Sequence, residues 1–428
     1  GNEAVAVFQG TGRAATLYAP ATAYAALQTP NAGSTLAGES CYGPRCGVAN
    51  FILGAGYPEL DYATEFPEKR YDDPDYVLPK VALIIGKDPL VSNPDGLFGH
   101  AVVDLMRRGA KLMSIDPRVT WIGTRGDYHL QLRPGTDAAL GMAMLNVIIQ
   151  EDLYDHDFVE KWTWGFDELA GRVATMPCEK AEAITGVPAE EIREAARAYA
   201  NAKPASIAWG LAIDQTVNGA QAGHCILCLM AITGNLDVPG GQILQDITDG
   251  AGDAIVAGLG WQKLDDDIKG KIIGLEEYPA YVGIMLMAHA DRTLDALETG
   301  VPYPIHLAWI GSTNLLTATC SAQPKRWYNA LRKLDFVFAT DCWMTPSVMA
   351  CADVILPVAT FAEHDSCVPT HYGGSPNYIG AQNKVVEVGE TKGDFQNWRD
   401  LGMILNPQAW EPYEKSTQEF FEGYYLGG

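Results

Sequence analysis

Two aspartates occupy matching places in two stretches of the chain, where their carboxylates could hold a nucleotide. Asp116 and Asp341 each close an apolar run, and each follows a glycine, Gly86 or Gly311, by 30 residues. A carboxylate there can accept hydrogen bonds from ribose hydroxyls or from the edge of a guanine base. The glycine lets the backbone approach a ligand closely. The repeated spacing indicates two nucleotide sites or one pseudo-symmetric pair.

Strands and helices must position these residues, and the sequence predicts them. The apolar runs VALIIG, AKLMSID, HLAWIG and DFVFATD alternate with helix-like segments. That pattern is typical of strand–helix–strand crossovers in a buried parallel sheet, which binds ligands at the carboxyl ends of its strands. A second aspartate, Asp127 or Asp353, opens a further strand in each stretch. A duplicated scaffold with empty sites would show the same pattern, and this alternative stays open.

Composition bounds the class of protein. The 428 residues carry a formal net charge of −23, which argues against a nucleic-acid partner. No run of 18 apolar residues is present, so we expect no membrane span. The chain shows no signal peptide and no initiator methionine, and it is expected to be part of a longer protein. Its compartment is therefore open between the bacterial cytoplasm and the outer face of the membrane.

The nine cysteines are scattered and do not form a disulfide framework or a four-cysteine iron–sulfur spacing. Cys225 and Cys228 are three residues apart in an apolar helix-like segment, which favours a buried helix face over a metal or redox site. Cys41 lies in a loop rich in glycine and proline. Its thiolate could be a nucleophile or a soft metal ligand, and an inert buried cysteine is the alternative.

A polar cluster follows the second repeat. Glu363, His364, Asp365, Cys367 and His371 fall within nine residues of one another. Such groups could line a pocket as acids and bases. A solvated polar loop is the alternative, and it is the favoured interpretation.

Seven segments together resemble a known family. LIIGKDP, IDPRVTWIG, LQLRPGTDAAL, AWGLAIDQTVNG, LMAITGNLDVPGG, AWIGSTN and TDCWMTPSVMACADVILPVATFAEHD occur in this order. They resemble the molybdopterin oxidoreductases with two pyranopterin guanine dinucleotides, the dimethyl-sulfoxide-reductase superfamily, over about residues 4–390. The resemblance implies an α/β fold of two related, doubly wound, mostly parallel-sheet domains with a pseudo-two-fold repeat. Residues 1–38 with 240–428 would bind one dinucleotide, and residues 39–239 the other.

The resemblance also implies a set of site residues. Cys41 would ligate molybdenum or tungsten, because a thiolate suits a soft metal already held by dithiolene sulfurs. The residues implied for one dinucleotide are Gly86, Asp88, Asp116, Pro117, Arg118, Thr120, Gly135, Thr136 and Asp137, with Trp209, Gly210 and Gln215 near the pterin. The residues implied for the other are Gly311, Ser312, Asn314, Asp341, Thr345 and Asp353.

The chain departs from the family pattern in places. Members often carry Asn where Asp88 stands, and formate dehydrogenase-like members carry His where Tyr42 stands. The arginine-containing stretch of the formate enzymes is not recognisable in residues 242–250, so formate oxidation is not expected. A 4Fe–4S cluster is expected on a domain preceding Gly1, and a cofactor-capping barrel after Gly428.

The branch most resembled is that of acetylene hydratase and the catechol dehydroxylases, through GNLDVPGG and the Cys-Tyr-Gly-Pro context. It implies reductive dehydroxylation of a catechol-type aromatic, or a related oxygen transfer, in anaerobic metabolism. Tyr42, Asp365 and His371 are the candidate acids. The alternatives are acetylene hydratase-like hydration and a metal-free scaffold or electron-transfer subunit. The expected partners are a small-molecule substrate and an iron–sulfur electron-transfer subunit.

Overall fold

The computed structural model describes residues 1–10, 21–34, 43–54, 58–60, 77–92, 97–244, 260–285, 287–320, 322–369 and 379–411. Contacts between residues divide the chain into two units. Unit 1 comprises Gly1–Glu39, Thr248–Pro369 and Tyr378–Gly428, and unit 2 comprises Ser40–Ile247 and Thr370–Asn377. Each unit is described by itself below.

The strands, in chain order, are β1 (Val5–Gln9), β2 (Asn31–Ser34), β3 (Pro58–Leu60), β4 (Val81–Ile85), β5 (Lys111–Ile115), β6 (Tyr128–Leu130), β7 (Ala205–Trp209), β8 (Gln242–Leu244), β9 (Leu307–Gly311), β10 (Phe336–Asp341), β11 (Val354–Pro357), β12 (Ser366–Pro369) and β13 (Ile379–Gln382). Two short 3₁₀ helices span Asn2–Ala4 and Trp261–Lys263, and two π-helices span Thr22–Leu27 and Leu315–Thr319.

The α-helices, in chain order, are α1 (Gly43–Leu53), α2 (Pro89–Ser92), α3 (Leu97–Arg108), α4 (Trp121–Arg125), α5 (Asp137–Gln150), α6 (His156–Trp162), α7 (Phe166–Val173), α8 (Cys178–Thr185), α9 (Ala189–Asn201), α10 (Leu211–Asp214), α11 (Gly219–Ile232), α12 (Asp266–Lys269), α13 (Pro279–Met285), α14 (Ala290–Thr299), α15 (Pro324–Leu331), α16 (Pro346–Cys351), α17 (Asp394–Leu405) and α18 (Pro407–Trp410). No helix in the described part of the chain is both long enough and apolar enough to cross a membrane.

Unit 2 is built on a four-stranded parallel sheet in the order β6–β5–β4–β7. The central strand β4 consists of five buried apolar residues. Leu83 packs into a core shared with α5, α9 and α11, whereas its neighbour Ile84 packs with α3 and α4. Since successive side chains of a strand point to opposite faces, helices cover both faces of this sheet.

Unit 1 is built on a five-stranded parallel sheet in the order β11–β10–β9–β1–β2. In β9, Ile310 packs with α14 and α15, and Trp309 packs with α17 and the π-helix Thr22–Leu27. Both faces are again covered. The predicted fold class, two related and doubly wound α/β domains with mostly parallel sheets, is therefore confirmed.

Four strands of one sheet correspond in position to four strands of the other, but the corresponding strands follow in a different order along the chain. In unit 2 the strand beside β4 is β7, which comes last, whereas in unit 1 the strand beside β9 is β1, which comes first. The remaining strands of the described residues form two antiparallel pairs, β3 with β8 and β12 with β13.

Candidate cofactor-binding loops

The loops after β4 and β9 begin with the same backbone turn. In unit 2, Ile85 pairs with Ile115, and in unit 1, Gly311 pairs with Thr340, so the residue after each strand is Gly86 or Ser312. These two residues have left-handed φ angles of 64° and 50°. The predicted equivalence of Gly86 with Gly311 is therefore wrong by one residue. The counterpart of Gly86 is Ser312.

A glycine from the neighbouring strand closes each turn. The N–H of Gly210, after β7, donates to Ile85 at 2.9 Å, and the N–H of Gly10, after β1, donates to Gly311 at 3.1 Å. A Cβ on Gly210 would lie 2.4 Å from the Gly86 carbonyl oxygen, and one on Gly10 would lie 2.1 Å from the Ser312 carbonyl oxygen. Only glycine allows this contact. The equivalence of Gly10 with Gly210 could not be predicted from the sequence, because β1 precedes β9 by about 300 residues.

The two predicted aspartates occupy one local structure. Asp116 directly follows β5, and its carboxylate accepts the Arg118 N–H at 2.8 Å. Asp341 ends β10, and its carboxylate accepts the Trp343 N–H at 2.9 Å. The side chains of Thr120 and Thr345 then cap α4 and α16.

The two aspartates differ in their partners. The Arg118 guanidinium binds both carboxylate oxygens of Asp116 at 3.1 Å, and its side chain is 63% exposed. Trp343 occupies the place of Arg118 in unit 1 and is exposed. Unit 2 therefore offers a guanidinium that can reach a phosphate, and unit 1 an indole that can stack on a base.

Asp394, which was not predicted as a site residue from the sequence, lies near Asp341. It opens α17, is 8% exposed, and has one carboxylate oxygen without a hydrogen-bond partner. Burial raises the pKa of Asp394 to about 6, His364 opposes the shift and Asp341 adds to it. The sequence shows only an acidic residue before an apolar helix, which is common enough to carry no signal.

Asp88 and Asn314 occupy one position in the two repeats, two residues after the left-handed turn. Asp88 lies 3.9 Å from the Arg118 guanidinium, and its Oδ1 is buried without a hydrogen-bond partner. The Asn314 amide oxygen accepts the Ser347 hydroxyl at 2.7 Å.

The predicted cofactor-binding loop before α5 also lies in unit 2. Gly135 has a φ of 81°, and open space lies where its Cβ would be. The Thr136 hydroxyl donates to the Arg133 carbonyl at 2.6 Å, and burial raises the pKa of Asp137. Pro117 is exposed, and its carbonyl accepts the Gln131 side chain at 3.3 Å.

The residues expected near the pterin surround a buried ion pair in unit 2. Arg45 Nε lies 2.6 Å from Asp214 Oδ2, and the two side chains are 2% and 0% exposed. The guanidinium also donates to the Trp209 carbonyl at 2.7 Å and lies over the Trp209 ring. Trp209 is fully buried, whereas Gln215 at the end of α10 is exposed. This pair could not be predicted from the sequence, because its members are 169 residues apart.

Asp353 and Asp127 lie at the opposite edge of their sheets from the strand-end loops. Asp353 lies at the amino end of β11, where its carboxylate accepts the Val337 N–H at 2.8 Å, just as Asp127 accepts that of Leu112 at 3.2 Å. The Asp365 carboxylate accepts the Lys384 N–H at 2.8 Å. All three carboxylates therefore accept a main-chain N–H. Cys41, Tyr42 and His371 lie outside the described residues.

The predicted helix face of Cys225 and Cys228 packs on the core of unit 2. Burial raises the pKa of Cys225 to about 11 and that of Cys228 to about 12, so both stay protonated and unreactive at neutral pH. Among the described residues, no group of three or more His, Cys, Asp or Glu side chains could hold a metal ion.

The residues fit a phosphate-bearing nucleotide in each unit. At its carboxyl edge each sheet has a turn closed by a neighbouring glycine, an aspartate and a capping threonine. Asp88 follows β4 and Asp394 lies near Asp341, and each has one buried carboxylate oxygen without a hydrogen-bond partner. The arrangement can hold two nucleotides on related sheets.

Comparisons with known proteins agree on one family. The model of the molybdopterin oxidoreductases matches residues 61–403. Acetylene hydratase of Syntrophotalea acetylenica is 33% identical over 361 residues, covering 78% of this chain and 48% of the relative. Formate dehydrogenase H of Escherichia coli is 30% identical over 356 residues, covering 80% and 47%.

Dopamine dehydroxylase of Eggerthella lenta is 24% identical over 566 aligned positions, covering 95% of this chain and 53% of the relative. The solved structure of acetylene hydratase from Pelobacter acetylenicus matches with a TM-score of 0.84 and 28% identity, covering 100% of this chain and 58% of that one. The chain spans about half the length of the curated relatives it matches.

Proposed function

Because the chain belongs to the molybdopterin oxidoreductase family, whose cofactor carries molybdenum or tungsten, we propose that it forms the core of such an enzyme with two pyranopterin guanine dinucleotides. One dinucleotide lies at the carboxyl edge of each sheet, and Cys41 ligates the metal. A 4Fe–4S cluster on a further domain and an iron–sulfur electron-transfer subunit complete the proposal.

The duplicated strand-end loops carry this proposal. The left-handed turn, the glycine that closes it, the aspartate and the capping threonine recur in both units with the same hydrogen bonds. A single loop of this kind would support one mononucleotide only. Two loops in one chain support two nucleotides, as the pseudo-symmetric cofactor of the family requires.

The residues divide the work between binding and orientation. When bound, the metal supplies redox chemistry and a Lewis-acid position. Asp116 and Asp341 accept ribose or guanine donors, and Arg118 offers its exposed guanidinium to phosphate. The buried Arg45–Asp214 pair fixes the first turn of α1, and Arg45 follows Cys41 by four residues in the chain.

For the reaction, we propose reductive dehydroxylation of a catechol-type aromatic. The match to dopamine dehydroxylase over 95% of the chain supports it. The step consumes two electrons and two protons, replaces one aromatic C–OH by C–H and releases water. Tyr42, Asp365 or His371 would protonate the leaving oxygen.

Hydration of a triple bond is the second candidate, because acetylene hydratase has the higher identity and a TM-score of 0.84. Hydration adds water without net electron transfer. A requirement for a reductant therefore separates the two reactions.

Cofactor content tests the proposal first. The full chain would be purified without oxygen, its metal measured by mass spectrometry, and its GMP measured after acid hydrolysis. We expect one molybdenum or tungsten and two GMP per chain. Cys41→Ala should alter the metal spectrum or abolish activity, whereas Cys46→Ala, five residues away, should do neither.

A folded chain with GMP but no metal would refute the enzyme and leave the scaffold subunit. Metal without GMP would refute the dinucleotide form. With the cofactor established, catechols with a reductant and acetylene without one would be compared. Hydration of acetylene with no effect of reductant would replace the dehydroxylase proposal.

A further inference from the structure

Asp88 differs from its counterpart Asn314 by one charge at the same backbone position. The strand registers place both residues two positions after the left-handed turn, and both precede the helical segment that follows the strand. An asparagine amide is neutral and has two N–H donors, whereas a carboxylate is negative and has none. The two nucleotide loops are therefore chemically unequal at this point.

The surroundings of Asp88 are poor for a carboxylate. Its side chain is 9% exposed, and Oδ1 has no hydrogen-bond partner. Burial raises the pKa of Asp88 and Asp116 adds to this shift, whereas the Arg118 guanidinium at 3.9 Å and the Leu90 main-chain N–H, which donates to the carboxylate, oppose it. Arg118 is already bound at 3.1 Å to both oxygens of Asp116.

Few other charges can compensate it. Among the described residues, Asp116 and Arg118 are the charged groups that face Asp88 from β5 and the loop after it. Lys87 adjoins it in the chain, and Asp214, on the segment that packs on Gly86, is held by Arg45. One guanidinium thus serves two carboxylates.

A bound phosphate would add negative charge beside this group. A carboxylate repels a phosphate, whereas a protonated carboxyl can donate its O–H to a phosphate oxygen as an amide does. We propose that Asp88 takes up a proton when the unit 2 loop binds its nucleotide, so that it acts as the donor that Asn314 supplies in unit 1. This inference rests on the proposed function.

The linkage fixes the sign of the effect. A group that binds a proton more tightly in the complex makes nucleotide affinity fall as pH rises between its free and bound pKa values. The fall is at most tenfold per pH unit for one proton. At the unit 1 site Asn314 contributes no such dependence, because an amide does not titrate.

Calorimetry with GDP tests the proposal on the full chain. Binding would be measured from pH 5.5 to 8 in buffers of different ionisation enthalpy, which counts the protons taken up. GDP contributes its own titration equally to every variant. We expect Asp88→Asn to lose up to one proton of uptake and to weaken the pH dependence. Asn314→Asp should gain up to one proton at the unit 1 site.

Each outcome decides the matter. Equal proton uptake in the wild type and in Asp88→Asn, with GDP bound in both, would overturn the inference and leave the proposed function standing. No GDP binding at any pH by any version would overturn the nucleotide sites themselves. If Asp88→Asn does not fold, Asn314→Asp and the wild-type proton count decide. In that case, the proposal would be refuted if the wild type took up no more protons than the titration of GDP alone accounts for and Asn314→Asp did not increase this number.

Discussion

Replacing Asp214 by alanine should destabilise unit 2 far more than the loss of a surface ion pair. Asp214 accepts the Arg45 Nε at 2.6 Å and the Arg45 main-chain N–H at 3.0 Å. Both side chains are buried, so the variant would leave a guanidinium in the core without this carboxylate. Removing one partner of a buried pair costs about 3–5 kcal/mol.

The chain contains a matched control. Arg197 binds Glu151 through two hydrogen bonds of 2.8 Å, but the pair is exposed, at 42% and 36%. An exposed pair is worth about 0.2–1 kcal/mol. We therefore expect Glu151→Ala to lower the free energy of unfolding by less than about 1 kcal/mol.

Urea unfolding of the full chain, followed by circular dichroism, measures both effects. The midpoint should shift and the slope should stay constant, because the surface exposed on unfolding is unchanged. The double variant Arg45→Met, Asp214→Leu should recover most of the loss, since apolar residues of similar volume do not incur the desolvation of a charge. Equal losses for Asp214→Ala and Glu151→Ala would refute the reasoning.

Three further predictions concern single positions. Because the Asp394 carboxyl has a pKa of about 6 in the fold against an ordinary 3.8, the native state binds more protons between those values, so stability should fall as pH rises through that window. Asp394→Asn should abolish this fall in stability, which is worth about 3 kcal/mol. Unfolding midpoints measured at pH 4, 5, 6 and 7 test this. The same pH dependence in the wild type and the variant would contradict it. Gly210→Ala should cost at least about 1–3 kcal/mol in thermal or urea unfolding, because its Cβ would lie 2.4 Å from the Gly86 oxygen, whereas Gly171→Ala on the open side of α7 should cost nothing. Ser312→Gly should stabilise the fold by about 1 kcal/mol, since Ser312 has a φ of 50°, and Gly86→Ala should destabilise it. Calorimetric unfolding measures both changes. Destabilisation by Ser312→Gly or stabilisation by Gly86→Ala would refute the shared turn.

The local features of the repeat could be predicted from the sequence. Apolar runs, aspartates and threonines recur at fixed spacing, and the structure places Asp116 and Asp341 in the same turn. Spacing alone paired Gly86 with Gly311, because glycine is the usual residue for a left-handed turn. The structure puts Ser312 there instead, and only the strand register reveals it.

Features that join distant parts of the chain could not be predicted. Arg45 and Asp214 are 169 residues apart, and nothing in either segment marks a buried charge. The aspartate that opens β11 looked like a ligand, but a carboxylate at a strand start can equally hold a neighbouring main-chain N–H, as Asp353 does. The domain boundaries and the assignment of one dinucleotide to each domain stay predictions.

The chain order of the strands has a consequence for synthesis on the ribosome. β1 is made about 300 residues before β9, one of its two partner strands, which begins at Leu307 opposite Val5. At about 5–20 residues per second, β1 must wait on the order of 15–60 s for that partner. The four strands of the parallel sheet of unit 2 are complete once Trp209 has been made, and Ser40–Ile247 is complete before β9, so this part can fold while β1 is still without β9.

Pairing over so long a separation is slow, and an exposed apolar strand that waits for its partner can aggregate. A chain truncated before β9 should therefore contain a folded unit 2, with β1 able to pair only with β2. In the intact protein, unit 1 can complete its sheet only after Ser40–Ile247 of unit 2 has been made.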